Sequence, residues 1–120
     1  MAESLMRVLS YILLALLVVL GLAAGAAKIM QAPQEIIFFE AINFPLALLV
    51  PFGVLQVAAA VLTVLSKTRK IGLGLAATMF LISAIMIFMG GDIGFGLFSL
   101  VPAAIAVGLI FLGSFKNETL

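Results

Sequence analysis

Long apolar segments without charge alternate along the chain with short clusters of charged residues. The four longest uncharged segments contain 20, 26, 21 and 23 residues and lie between Arg7 and Lys28, Glu40 and Lys67, Lys70 and Asp92, and Asp92 and Lys116. A helix needs about 20 apolar residues to cross a hydrocarbon core about 30 Å thick. Each segment is therefore long enough for one membrane crossing.

This pattern predicts an all-α transmembrane four-helix bundle that forms a single domain over residues 1–120. The segments are continuously apolar and do not alternate, which favours helices over a transmembrane barrel. The predicted spans are residues 5–27, 44–65, 71–89 and 94–113. Pro33 suits the first turn of a short interfacial helix in the first connection. Pro51 should either kink the second span or mark its true start, and Pro102 lies inside the fourth.

The composition supports a membrane protein and excludes several kinds of site. Hydrophobic residues make up 66% of the 120 residues and charged residues 9%, against about 25% charged residues in soluble domains. The chain has no cysteine and no histidine, so it offers no disulfide, no Cys/His zinc site and no bis-histidine haem. We predict no metal site. A net charge of +1 without a basic stripe gives no indication of nucleic-acid binding.

The distribution of basic residues predicts the orientation. Five of the six basic residues fall on the side of the termini and the second connection: Arg7, Lys67, Arg69, Lys70 and Lys116. This asymmetry predicts a multi-pass protein of the cell membrane, here the bacterial inner membrane, with both termini in the cytoplasm. An alternative for the first segment is a signal peptide, since Ala24-Gly25-Ala26 would suit cleavage.

Two pairs of small residues have the four-residue spacing that allows close helix packing. Gly21 and Gly25 form one pair in the first span, and Ala104 and Gly108 form the other in the fourth. Each pair would serve either packing inside the bundle or contact with a second copy.

Two polar residues stand out in the apolar segments. Lys28 follows small residues at the end of the first span, so its side chain is either an interfacial anchor or a cation at the mouth of a ligand pocket. Glu35, Glu40 or Asp92 would pair with it. Gln56 lies near the middle of the second span. Its amide would either join helices by hydrogen bonds or line a small polar pocket.

Three methionines of the third span, Met79, Met86 and Met89, could suggest copper(I) binding. Methionine is also ordinary filling of an apolar helix. Without cysteine or histidine nearby, filling is the favoured interpretation.

Several short motifs resemble those of DoxX-like membrane proteins. Gly25-Ala26-Ala27-Lys28 resembles their G-x-x-K ending of the first helix, and Pro51-Phe52-Gly53-Val54-Leu55-Gln56 is similar to the start of their second. The basic turn before a Gly/Ala-rich third helix also fits, so the resemblance covers about residues 7–112. It implies a four-helix membrane bundle, with Lys28 and Gln56 as the functional positions. Gln56 stands where many relatives have Glu.

The resemblance implies a small accessory or ligand-binding subunit tied to quinone-linked redox chemistry or stress detoxification. A quinone would be the ligand, and a membrane redox partner or a homo-oligomer the assembly. The alternatives are a membrane enzyme component acting on a lipophilic substrate, a small transporter and an assembly factor. No cofactor-binding or catalytic motif is present, which leans against an enzyme without deciding the question.

Overall fold

The computed structural model describes residues 2–112, apart from the side chains of residues 3 and 112. Its α-helices are α1 (Ala2–Ile29), α2 (Pro33–Ala41), α3 (Leu49–Val64), α4 (Arg69–Met89) and α5 (Ile93–Leu112). Short 3₁₀ helices, Leu46–Leu48 and Ser66–Thr68, precede α3 and α4. The predicted end of the last span at residue 113 and the predicted cytoplasmic Lys116 lie outside the described residues.

Four of the helical segments are long and apolar enough to cross a membrane. They are Ser4–Ile29, Leu46–Val64, Ser66–Met89 and Ile93–Phe111, with mean hydropathies of 2.6, 2.2, 2.3 and 2.3. The prediction of an all-α bundle of four spans is confirmed, and so is the short helix in the first connection. The protein is a multi-pass membrane protein whose apolar outer surface contacts lipid.

The helices pack mainly in the order α1, α3, α4, α5, and α1 also touches α5. Their shared core is a cluster of buried apolar residues from all four helices: Leu14, Leu17, Ala59, Leu73, Ala76, Phe80, Ala103, Ala106 and Leu109. Many large apolar side chains remain outside this core, among them Val19, Ile71 and Phe111. In a bilayer they meet lipid chains, so their exposure carries no penalty.

The second span begins differently from its predicted start at residue 44. Pro45 precedes the 3₁₀ turn Leu46–Leu48, and the regular α-helix starts at Leu49. Pro51 is therefore the third residue of α3, where a helix has no internal acceptor for the backbone N–H. Of the two alternatives for Pro51, the start of the helix is confirmed.

Helices α1 and α3 approach each other through glycines. A Cβ atom on Gly25 would lie 2.6 Å from Val57 Cγ2 and 2.7 Å from the carbonyl oxygen of Gly53. A Cβ atom on Gly53 would in turn lie 2.8 Å from Lys28 Cβ. Gly21 lies on the same face, against Ala60. The Gly21–Gly25 pair thus faces α3 inside the bundle.

The second pair of small residues faces away from the rest of the chain. Ala104 is exposed, and no atom lies within 4 Å of a Cβ atom built on Gly108. In the part of the chain described here, no helix packs against Gly108. The two pairs therefore have different surroundings although their spacing is identical.

The turn between α3 and α4 is fixed by side chains that bind the carbonyl end of α3. Arg69 Nε donates a hydrogen bond to the carbonyl oxygen of Thr63 at 2.9 Å, and Nη2 donates to that of Val64 at 2.9 Å. Thr68 Oγ1 donates to the carbonyl oxygen of Leu62 at 2.8 Å. The Arg69 guanidinium also lies 5.9 Å from the ring centre of Tyr11 in α1. Arg69 therefore links three helices at this end.

The glycine contact between α1 and α3 can be tested by adding one methyl group. We expect Gly25→Ala to destabilise the protein by about 1–3 kcal/mol, because backbone atoms of α3 occupy the space of the new Cβ. Gly108→Ala is the matched control, since it meets open space and should be neutral or slightly stabilising. Helicity during titration from mild detergent into SDS measures the difference. Equal stabilities of the two variants would show that α1 and α3 do not touch at Gly25.

Candidate ligand-binding site

Lys28 lies at the end of α1 and turns into the protein. Only 7% of the residue is exposed, although a lysine at a helix end could have extended its ammonium group towards water. Its Nζ atom lies 3.0 Å from Glu35 Oε1 and 5.5 Å from the centre of the Phe52 ring. The ammonium group is thus held by a carboxylate from α2 and by an aromatic face from α3.

The partner carboxylate is positioned by α2. Pro33 starts this helix, and Glu35 lies in its first turn, where an acidic side chain is favoured by the helix dipole. Gln31, in the turn before α2, adopts a left-handed conformation with φ of 55°, which lets the chain reverse directly after α1. This reversal brings Glu35 back over Lys28. Of the three predicted carboxylate partners for Lys28, Glu35 is the one that forms the ion pair.

Phe39 anchors α2 in the bundle. Its ring lies edge-on to Phe38, Phe44 and Phe52, with ring centres 6.1, 5.1 and 6.4 Å away. Such edge-to-face contacts are favourable beyond the area they bury. Phe39 is almost completely buried. Nothing in the sequence distinguishes Phe39, because an aromatic residue among apolar neighbours gives no signal of its own.

Two of the methionines complete the walls around these rings. Met79 and Met86 are buried with Phe39, Leu49 and Phe52 in one apolar cluster. Met89 is exposed on the outside. The three thioethers that could suggest copper are therefore not brought together, and two of them serve as packing.

Gln56 lies one turn after Phe52 on the same face of α3. The residue is 2% exposed, and neither its Nε2 nor its Oε1 has a hydrogen-bond partner among the residues the structure describes. An amide buried without partners costs about 1–3 kcal/mol. Helix-joining hydrogen bonds, one of the two interpretations of Gln56, are not present here.

The neighbouring threonines satisfy their own hydroxyl groups. Thr63 Oγ1 donates to the carbonyl oxygen of Ala59 at 2.7 Å, and Thr78 Oγ1 donates to that of Gly74 at 2.9 Å. Both hydroxyl protons are thus used within their own helices, and neither hydroxyl group makes a hydrogen bond to Gln56, although Thr63 shares its helix face.

Comparison of the chain with protein-family models, with curated proteins and with solved structures finds no match. The resemblance to DoxX-like proteins stays a prediction that rests on the motifs around Lys28 and Gln56.

Lys28, Glu35, Phe52 and Gln56 together form what we call the polar site. It combines a neutralised ion pair, an aromatic face and an unpaired amide inside an apolar bundle. None of these groups is a strong nucleophile or a redox centre. The arrangement offers an unpaired hydrogen-bond donor and acceptor beside an aromatic face and a paired ammonium group.

Removing the charge of Glu35 tests the ion pair. We expect Glu35→Gln to destabilise the protein by about 1–3 kcal/mol, because the buried Lys28 ammonium loses its counter-ion. Glu40→Gln is the control, since this carboxylate is on the same helix and exposed. Thermal unfolding in mild detergent, followed by circular dichroism, measures both variants. A shift as small for Glu35→Gln as for Glu40→Gln would contradict the assigned pair.

Proposed function

We propose that this protein is a small ligand-binding or accessory membrane subunit that holds a lipophilic ligand at the polar site. The observation that carries the proposal is the amide of Gln56, which is buried without a partner one turn from the aromatic face next to Lys28. A ligand head group would supply the missing hydrogen bonds and offset the cost of burying the amide.

A quinone is the ligand class that we propose first. Its carbonyl oxygens would accept a hydrogen bond from Gln56 Nε2, and its ring would lie against aromatic and methionine side chains. The resemblance of the motifs around Lys28 and Gln56 to DoxX-like proteins supports a role in quinone-linked redox chemistry or stress detoxification. The chain carries no cofactor-binding motif. Electron transfer would therefore require a redox partner in the membrane, and a homo-oligomer is the alternative assembly.

Replacing Gln56 by leucine tests this function in one variant. We expect Gln56→Leu to lose most of the bound ligand and to make the ligand-free protein more stable by about 1–3 kcal/mol, because the unpaired amide is removed. Native mass spectrometry from mild detergent reports the copurifying lipophile, added decylubiquinone, partner subunits and oligomer size. Thermal unfolding reports the stability.

The matched control is Gln34→Leu, which makes the same replacement at an exposed position of α2. It should retain the ligand. A wild-type protein that carries no lipophile and takes up no decylubiquinone would overturn the proposed function. A Gln56→Leu variant that is less stable than the wild type would instead indicate a structural role for the amide.

We further propose that the protein resides in the bacterial inner membrane with both termini in the cytoplasm. The support is the concentration of basic residues near the turn between α3 and α4, at Lys67, Arg69 and Lys70, against Lys28 as the single base on the opposite side.

Because the natural chain has no cysteine, single cysteines report the orientation without background. We expect Gln34→Cys to react with a membrane-impermeant maleimide on spheroplasts, since α2 would lie on the periplasmic side. Ser66→Cys, in the turn before α4, should react only after the cells are lysed. The reverse pattern would overturn the orientation.

A further inference from the structure

Ser83 is a second buried polar group for which the described chain provides no partner. Its Oγ atom is inaccessible and makes no hydrogen bond there. A serine or threonine inside a helix commonly donates to the carbonyl oxygen four residues earlier. Thr63 and Thr78 do so in α3 and α4, but Ser83 does not. Like the Gln56 amide, the Ser83 hydroxyl group is thus buried without a hydrogen-bond partner among the described residues.

The register of α3 and α4 brings Ser83 to the polar site. The two helices are antiparallel, and a Cβ atom on Gly72 would meet the backbone and side chain of Thr63. Gln56 lies seven residues before Thr63 on α3, and Met79 lies seven residues after Gly72 on α4, so Gln56 and Met79 are level. Phe52 lies four residues before Gln56, and Ser83 lies four residues after Met79, so these two are also level. Gln56 and Ser83 are thus separated by about 6 Å along the helix axes.

The packing agrees with this register. Met79 and Met86 lie one turn before and one turn after Ser83, and both are buried in one cluster with Phe52. Gln56 follows Phe52 by one turn on α3. Ser83 and Gln56 therefore border the same apolar cluster, one from each helix.

The charges around this cluster balance. The Lys28 ammonium is already paired with the Glu35 carboxylate, while Glu40 and Asp92 are exposed. Gln56 and Ser83 are uncharged. An ionised head group would find no unpaired counter-ion in this apolar region among the residues that the structure describes, so its entry would be costly. A neutral head group would meet an amide and a hydroxyl group that can each donate and accept.

We propose that Ser83 binds the head group together with Gln56, and that this head group is uncharged and carries carbonyl or hydroxyl oxygens. This inference rests on the proposed function, because it specifies the contacts and the chemical class of the ligand at the same site. Ser83 then acts as a specificity residue: its hydroxyl group favours oxygen-bearing lipophiles over plain hydrocarbons.

Three probes with the same decyl chain separate the head-group classes: decylubiquinone, decylbenzene and decylbenzenesulfonate. They are titrated below their micellar concentrations against wild-type protein and variants, with binding read by native mass spectrometry. Ser83→Ala removes the hydroxyl group, and Ser83→Thr keeps it. Thr78→Ala is the matched control, because it removes an exposed hydroxyl group of the same helix that already has a partner.

We expect wild-type protein to bind decylubiquinone most tightly of the three. Ser83→Ala should weaken decylubiquinone binding about threefold to tenfold, the usual effect of one hydrogen bond, and leave decylbenzene binding unchanged. Ser83→Thr and Thr78→Ala should bind decylubiquinone like the wild type. Thermal unfolding of Ser83→Ala should show no loss of stability, since an unpaired hydroxyl group is removed.

Each contrary result overturns a definite part of the proposal. Equal decylubiquinone affinity in wild type and Ser83→Ala would mean that the Ser83 hydroxyl group makes no hydrogen bond to the ligand. Ser83 would then not belong to the site. Tighter binding of the sulfonate would overturn the neutral head group while leaving ligand binding intact. If the wild type binds none of the three probes and copurifies with no lipophile, the proposed function fails together with this inference.

Discussion

The close contact between α1 and α3 is the constraint on which the polar site depends. Lipid is as apolar as the helix surfaces, so helices in a bilayer associate through close packing and not through burial from water. Gly25 and Gly53 permit this packing because each lies where the other helix's backbone leaves no room for a side chain. The same contact places Lys28 Cβ against α3. The ammonium group therefore reaches Phe52 and not the membrane surface.

The short helix α2 depends on this geometry in turn. It is held at one end by the Lys28–Glu35 ion pair and near the other by Phe39, whose ring contacts Phe44 and Phe52. One attachment is ionic and the other is apolar, and both use residues placed by α1 and α3. The polar site is thus assembled from three helices, and α2 contributes the carboxylate that makes it electrically neutral.

Much of the fold could be predicted from the sequence, because a charge inside a bilayer is costly and its absence over about 20 residues is easily read. Lys28 and Gln56 stood out for the same reason. Pairing of Lys28 with Glu35, and not with Glu40 or Asp92, depends on the chain reversal at Gln31. The left-handed φ angle of Gln31 that causes this reversal cannot be predicted from the sequence. The burial of Phe39 and the unpaired hydroxyl group of Ser83 could not be predicted, because both depend on how α2, α3 and α4 align. Pro51 marks the start of a helix only once the preceding turn is known.

Arg69 has one role during membrane insertion, as a positive charge, and another after folding, as a hydrogen-bond donor. While the chain enters the bilayer, the helices have not yet packed, and basic side chains in short loops favour the cytoplasmic side for those loops. After folding, the Arg69 guanidinium is occupied by the carbonyl groups of Thr63 and Val64. It is then no longer a free surface charge for lipid head groups. Lys67 and Lys70, which stay exposed beside it, carry the surface charge of this turn in the finished protein.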